Sequence, residues 1–268
     1  MTLLRRFRRP LLPLLLAVIV LVTLVLMAEP AVAGRPPGTP VATTFLGDPT
    51  VAAVFRDGLA AGHECTASVV RSPSRSVLIG AAHCFSGTAA GVQVVPGYHD
   101  GLAPYGVWTV TAAYVDPAWI ANQNPQRDWV FLVVAAQKQH GRTVRIQDVV
   151  GGNLPLFRIA NHQRVTVPAY GGGINDRPIT CTVASYRFQG YPAFDCDGYI
   201  GGTSGSPWLV RTPAGSAVTG VIGGLHQGGC VTWTSYSSVL GAPAWRGYLR
   251  ATTNTAPDVL PVAGSDGC

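Results

Sequence analysis

The chain has 268 residues, a formal net charge of +6, and only 12% charged against 47% hydrophobic residues. That balance excludes a disordered chain and leaves room for a substantial core. Four of its basic residues, Arg5, Arg6, Arg8 and Arg9, crowd the N-terminus, and no comparable run follows, so nucleic acid is not an expected partner.

Those arginines precede an apolar stretch from Leu11 to about Met27, and Ala31-Val32-Ala33 supplies a small-residue cleavage pattern. The expectation is a secretory leader over residues 1–33, cut after Ala33. The rival is an uncleaved anchor, since the run is nearly long enough to span a bilayer. Pro13 early in the run and the cleavage site directly after it favour cutting. Arg5-Arg6-Phe7-Arg8 matches a twin-arginine signal poorly, so the general secretory route is expected. The four arginines and Glu29 leave with the leader, taking the net charge from +6 to +3. Ala, Gly, Pro and Arg are abundant and Lys138 is the sole lysine, a composition that suggests a GC-rich bacterial genome. Six cysteines in an exported chain read as three disulfides. No C-x2-C or H-x3-H pair occurs, so no metal is expected.

Residues 34–50 are expected to form a lead-in or short pro-segment, rich in Gly and Pro at its start. Short β-type runs follow, punctuated by turn residues: Val51 to Phe55, Ala67 to Val70, Val77 to Gly80, Gly91 to Val95, Val107 to Val115 and Val130 to Val134. The polar, then Gly-rich stretch from Lys138 to Gly152 marks the junction of two halves, 51–145 and 146–250, with a tail over 251–268. The second half continues with Arg164 to Val167, Ile179 to Tyr186, Trp208 to Val210, Val218 to Ile222 and Cys230 to Tyr236. Such spacing predicts an all-β barrel or sandwich rather than βαβ units. The best helix candidate is Ala244 to Ala251, where Trp245, Tyr248 and Leu249 share a face.

Three blocks carry chemistry. Gly202-Thr203-Ser204-Gly205-Ser206-Pro207 sets a serine among glycines. A serine hydroxyl needs a base and a site for the oxyanion that forms on the substrate. Small flanking residues let the backbone turn so that the N–H groups of Gly202 and Ser204 can serve as that site. His83, in Ala81-Ala82-His83-Cys84, follows an apolar strand and is the candidate base. Asp128 stands immediately before the apolar run Val130 to Val134 and is the candidate orienting carboxylate, because a buried carboxylate needs partners and an imidazole N–H is a suitable one. His63, His99, His140 and His162 stand in settings that indicate no more than a structural role.

These blocks resemble the three triad blocks of chymotrypsin-fold (trypsin-like) serine proteases, in order, over roughly Ala52 to Arg250. The Ser-Gly-Ser-Pro ending, Ser204 to Pro207, is more similar to the bacterial glutamyl-endopeptidase (V8-like) branch. The resemblance implies two six-stranded antiparallel β-barrels with the active site between them and a short C-terminal helix. It implies a serine endopeptidase with His83 as base, Asp128 as orienter and Ser204 as nucleophile, no cofactor, and a protein or peptide substrate. The expected protein is a secreted monomer with no stable membrane association after leader cleavage.

The departures also matter. Trypsin-type zymogens carry an aspartate just before the nucleophile, and Thr203 stands there. Trypsin-like specificity uses an aspartate six residues before it, and Gly198 stands there. Glutamyl enzymes line the primary pocket with a histidine in an I-H-W-G-G-like strand, which Leu225-His226-Gln227-Gly228-Gly229 resembles. The expected pocket residues are Tyr199, His226, Gly228 and Gly229, with His226, and the Tyr199 phenol as donor or obstruction, deciding an acidic (Glu) primary preference. By the resemblance Cys65 pairs with Cys84. The other four cysteines allow three pairings; Cys181–Cys196, bracketing a hairpin, with Cys230–Cys268 is favoured over a Cys196–Cys230 bridge. Two alternatives come from other classes. A catalytically silent secreted homologue acting as a binding module is opposed by the complete triad. An α/β-hydrolase esterase is opposed by the His, Asp, Ser order and by Ser206 where G-x-S-x-G requires glycine.

Overall fold

The computed structural model describes residues 34–158 and 162–268. The expected leader, residues 1–33, lies outside the described residues. Six strands, β1 (Val51–Phe55), β2 (Cys65–Val69), β3 (Val77–Gly80), β4 (Gln93–Pro96), β5 (Trp108–Val115) and β6 (Val130–Val134), form a closed antiparallel barrel. The ring runs β1-β2-β3-β6-β5-β4 and closes where β4 pairs with β1. Every residue of β1, β2 and β3 is buried. Inward side chains such as Val54, Ala67, Leu78, Trp108 and Leu132 fill the barrel. Outward ones such as Ile79, Tyr114 and Phe131 are covered by other parts of the chain. Burial on both faces explains why these strands read as continuous apolar runs rather than as alternation.

The second half contains β7 (Arg164–Thr166), β8 (Thr182–Ala184), β9 (Tyr186–Phe188), β10 (Tyr191–Asp195), β11 (Pro207–Thr212), β12 (Gly215–Val221) and β13 (Thr234–Tyr236). Strands β8 and β9 are one chain segment interrupted at buried Ser185. With them counted together the ring has six members. It runs β7-β8, β9-β10, β10-β13, then through the single Ile222–Ser237 bridge to β12, β11 and back to β7. Phe194, Tyr199, Trp208 and Ile222 belong to its core. The β9–β10 turn places Gln189 and Gly190 at φ +48° and +86°, the doubly left-handed turn that matches strand twist in a tight hairpin. The molecule thus has the two six-stranded barrels expected.

Three local expectations change. The lead-in is not free throughout: Asp197 N donates to Pro40 O at 2.8 Å, and Thr43–Thr44 pairs with Ile179–Thr180. The Gly-rich junction holds the short helix Ile146–Val150. The Cys230 to Tyr236 run is a strand only over Thr234–Tyr236. A further short helix, Pro117–Asn122, starts at Asp116, whose side chain accepts from Ala118 N at 2.9 Å.

The C-terminal helix spans Ala242–Thr253 and follows the second barrel in sequence, yet packs on β5 and β6 of the first. Tyr248 donates to Arg71 O at 2.8 Å, and Gly247 lies against the Trp129 ring. A β-carbon at Gly247 would meet Trp129 at 2.5 Å and Phe131 at 3.2 Å. Gly247→Ala should therefore lower stability despite alanine's better helix propensity: overpacking costs about 1–3 kcal/mol against a gain of about 1 kcal/mol. A lower urea midpoint with an unchanged m-value is the expected result.

Candidate active site

His83 lies in the 3-10 turn Ala82–Cys84 at the end of β3, and Cys84 is bonded to Cys65 at the start of β2. The turn carrying the imidazole is thereby fastened to its neighbouring strand. Asp128 closes the 3-10 turn Pro125–Arg127 just before β6 and is fully buried. Its Oδ2 lies 2.7 Å from His83 Nδ1, its Oδ1 accepts from His83 N at 2.9 Å, and Oδ2 also accepts from Gly224 N at 2.9 Å. Both barrels therefore supply donors to one carboxylate. Burial pushes the Asp128 pKa up, but the His83 ring and these hydrogen bonds outweigh it, and the carboxyl is held below its ordinary range. Donating from Nδ1–H to the Asp128 carboxylate fixes the tautomer that leaves His83 Nε2 free to take a proton.

Ser204 follows β10 on a sharp turn. Gly202 has φ +100°, and a β-carbon there would lie 2.0 Å from Gly172 N. Gly205 has φ +84°, and a β-carbon there would lie 2.1 Å from Thr66 O. Only glycine fits either place. Gly172 N donates to Gly201 O at 2.6 Å, and Thr66 N to Ser204 O at 2.8 Å. In a trans peptide the N–H opposes the carbonyl, so fixing Gly201 O toward Gly172 turns Gly202 N–H the other way. Neither Gly202 N–H nor Ser204 N–H donates to an acceptor among the described residues. Two unspent donors on either side of Thr203 are the raw material of an oxyanion site. Thr203 itself is buried, and its hydroxyl donates to Ile200 O at 2.8 Å.

His83 and Ser204 line one cavity of about 320 Å³ with Tyr199, His226, Gly228 and Gly229. Ser204 Oγ makes no hydrogen bond among the described residues, to His83 or to any other group. The Tyr199 phenol turns into the core, where it donates to Val167 O at 2.5 Å and packs on Phe194. It is not a donor to the cavity. His226 lies in a 3-10 turn, Leu225–Gly228, with φ +51°, not on the strand that the I-H-W-G-G likeness implied. Its Nδ1 is 3.0 Å from Asp266 O.

The disulfides are Cys65–Cys84, Cys181–Cys196 and Cys230–Cys268. The third draws the tail to the cavity rim, where Gln227 Nε2 donates to Gly264 O at 2.8 Å and Asp266 joins the lining. Asp266 also lines an adjoining cavity of about 540 Å³, walled by Trp119 to Gln123. His226, Cys230 and Cys268 cluster closely, but both sulfurs are in the disulfide, so this is no metal site.

Sequence reasoning missed Thr66, Gly172, Gly224 and Asp266. Each acts through a contact distant in sequence. The run Gly171-Gly172-Gly173 is the one local signal of close backbone approach, and Cys268 two residues on is the signal for Asp266.

No known family model matches the chain, and no curated protein matches it. Solved structures do. Protease Anisep from Arthrobacter nicotinovorans superposes with a TM-score of 0.67 at 24% identity, over 80% of this chain and 100% of that one. A Glu endopeptidase in complex with MPD gives 0.61 at 16% identity, over 81% and 98%. Human heparin binding protein gives 0.60 at 14%, over 82% and 99%. The fold is thus the two-barrel, chymotrypsin-type fold, and a fold alone does not settle what its site does.

Because the Asp128 pKa is depressed on folding, its stabilisation is present above the unfolded value, about 3.8, and is lost as pH falls through the folded one. The stability difference between the wild type and Asp128→Asn should persist from neutral pH down to about pH 4 and shrink below it. Urea unfolding of both proteins across that range is the measurement.

Proposed function

We propose that the chain is an exported serine endopeptidase acting through an acyl-enzyme. The observation that carries this reading is the convergence of His83, paired to buried Asp128, and Ser204, flanked by two unspent N–H donors, on one cavity. Ser204 Oγ attacks the scissile carbonyl carbon while its proton passes to His83 Nε2. The carbonyl oxygen, now negative, is received by the N–H groups of Gly202 and Ser204. The C–N bond breaks as His83 returns the proton to the leaving amine, which leaves the acyl ester on Ser204. Water, giving its proton to His83 Nε2, then attacks the acyl carbon; the ester C–O bond breaks as His83 returns that proton to Ser204 Oγ, which releases the carboxylic acid and restores the enzyme. Asp128 holds the Nδ1–H tautomer and offsets the imidazolium charge without taking the proton. Each oxyanion donor is worth about 3–4 kcal/mol of barrier.

Export is supported by three disulfides, which persist in oxidising compartments. No helix among the described residues is long and apolar enough to cross a membrane. Acidic primary preference is the finer part of the reading and rests on His226 alone. With Nδ1 held by Asp266 O, protonation would make Nε2 the donor to a substrate carboxylate.

A fluorophosphonate probe should label wild-type protein on Ser204 and leave Ser204→Ala unlabelled, with mass spectrometry locating the adduct. No labelling of folded, disulfide-intact protein would replace this reading with a silent binding protein on the same scaffold. Asp128→Asn should lower kcat about ten-thousandfold by reversing the tautomer. In a peptide library, a preference for Glu or Asp at the scissile residue that disappears in His226→Gln supports the acidic pocket; a library with no such preference removes it.

A further inference from the structure

An oxyanion site built from backbone N–H groups works only if its peptide planes are held, and the residue before the nucleophile is uncharged Thr203. The holding elements lie elsewhere. We propose that the His63–Asp176 pair is a built-in positioning device that orders the loop Gly171–Gly173 and, through it, keeps Gly202 N–H turned toward the cavity. The inference rests on the reading of Ser204 as a nucleophile.

His63 is wholly buried, with Nε2 2.6 Å from Asp176 Oδ1, while Asp176 is 35% exposed. Its ring sits edge-on among Phe55, Tyr98 and Tyr170, with centroids 5.5, 5.3 and 5.6 Å away. Nδ1 is buried with no partner among the described residues. The tautomer with hydrogen on Nε2 leaves only that acceptor unfilled. A phenyl ring would fill the same cage without an unpaired nitrogen. What imidazole adds is a directed bond to Asp176.

The backbone carries that bond to the site. His63 N donates to Gly173 O at 2.8 Å, and Gly173 N returns a bond to His63 O at 3.1 Å. One residue away, Gly172 N makes the 2.6 Å bond to Gly201 O that sets the orientation of the Gly201–Gly202 peptide. There is little slack along this path. A β-carbon at Gly173 would lie 2.8 Å from Asp176 Oδ2, and one at Gly62 would lie 2.7 Å from Gly173 O. Thr66 adds a second tie, accepting from Tyr170 N at 3.0 Å and donating to Gly202 O at 3.3 Å. Asp176 is itself braced: Asp100 N donates to Asp176 O at 2.8 Å, and Arg177 binds the Asp100 carboxylate at 2.8 and 2.9 Å. A loop released at Asp176 would therefore loosen the peptide bearing one of the two oxyanion donors.

Three variants test this in the full mature chain: Asp176→Ala, Asp176→Asn and His63→Phe. A positioning role predicts that Asp176→Ala lowers kcat for a fluorogenic peptide about tenfold to a hundredfold, with KM within about twofold of wild type. Asp176→Asn should restore most of kcat, because its amide oxygen still accepts from Nε2–H. His63→Phe keeps the cage filled and should lose kcat like Asp176→Ala while remaining folded. Wild-type kcat in folded Asp176→Ala or His63→Phe, with only the unfolding midpoint lowered, would overturn the inference. Hydrogen exchange at the Gly172 amide gives a readout independent of turnover: faster exchange in Asp176→Ala supports the inference, and unchanged exchange overturns it. If wild-type protein neither labels with fluorophosphonate nor cleaves, the protease reading fails, and amide exchange still decides what the pair holds.

Discussion

A carboxylate without access to water must have its oxygens filled, and Asp128 is filled from both halves of the molecule. His83 supplies a ring N–H and a backbone N–H from the first barrel, and Gly224 supplies a backbone N–H from the second. Breaking any of these leaves a buried charge partly unpaired, a cost of several kcal/mol in such settings. The same group that orients the imidazole therefore also fastens the two barrels at the point where the cavity opens between them. Stability and the proposed chemistry share one constraint.

A second constraint is steric. The turn carrying Ser204 is packed so closely that Gly205 lies against Thr66 O of the first barrel, and Gly202 against Gly172 N of the second half. Side chains are excluded at both places, so the turn is located by backbone contact rather than by side-chain packing. The N–H groups of Gly202 and Ser204 are left without acceptors among the described residues and available to a ligand, while Thr203 N donates to Ile200 O. The Cys65–Cys84 bridge and the Ser204 O bond from Thr66 hold the turns that carry His83 and Ser204 to the same strand, β2.

The C-terminal tail adds a third tie between the halves. Leu260 pairs with Gly87 beside the His83 turn, Gly264 bonds to Gln123 and Gln227, and Cys268 is bonded to Cys230 at the cavity rim. It brings Asp266 to the border of both cavities, the single carboxylate among the residues that line them. The cavity that His83 and Ser204 line is thus bordered both by the second barrel and by the chain's last residues.

The sequence by itself determined the strands and the chemical blocks, because both are local. β-branched and aromatic runs bounded by Gly and Pro located Val51–Phe55, Val77–Gly80 and Val130–Val134 to the residue, and His83, Asp128 and Ser204 stand in short motifs whose chemistry is read within a few positions. The C-terminal helix was legible over Ala244 to Ala251, but of the expected face only Tyr248 is buried; Trp245 and Leu249 are exposed, and Ala244, Gly247 and Ala251 complete the face docked on the first barrel. Tertiary structure alone decided the rest. Tyr199 reads as a pocket donor until its hydroxyl is seen bonded to Val167 O. His226 reads as a strand residue until Gly224 to Gly229 curl into a left-handed turn held by the tail. His63 reads as incidental until Asp176, 113 residues later, is found against it. The direction of a side chain and the partner of a buried polar atom are set by segments remote in sequence, and no local pattern encodes which segment will arrive.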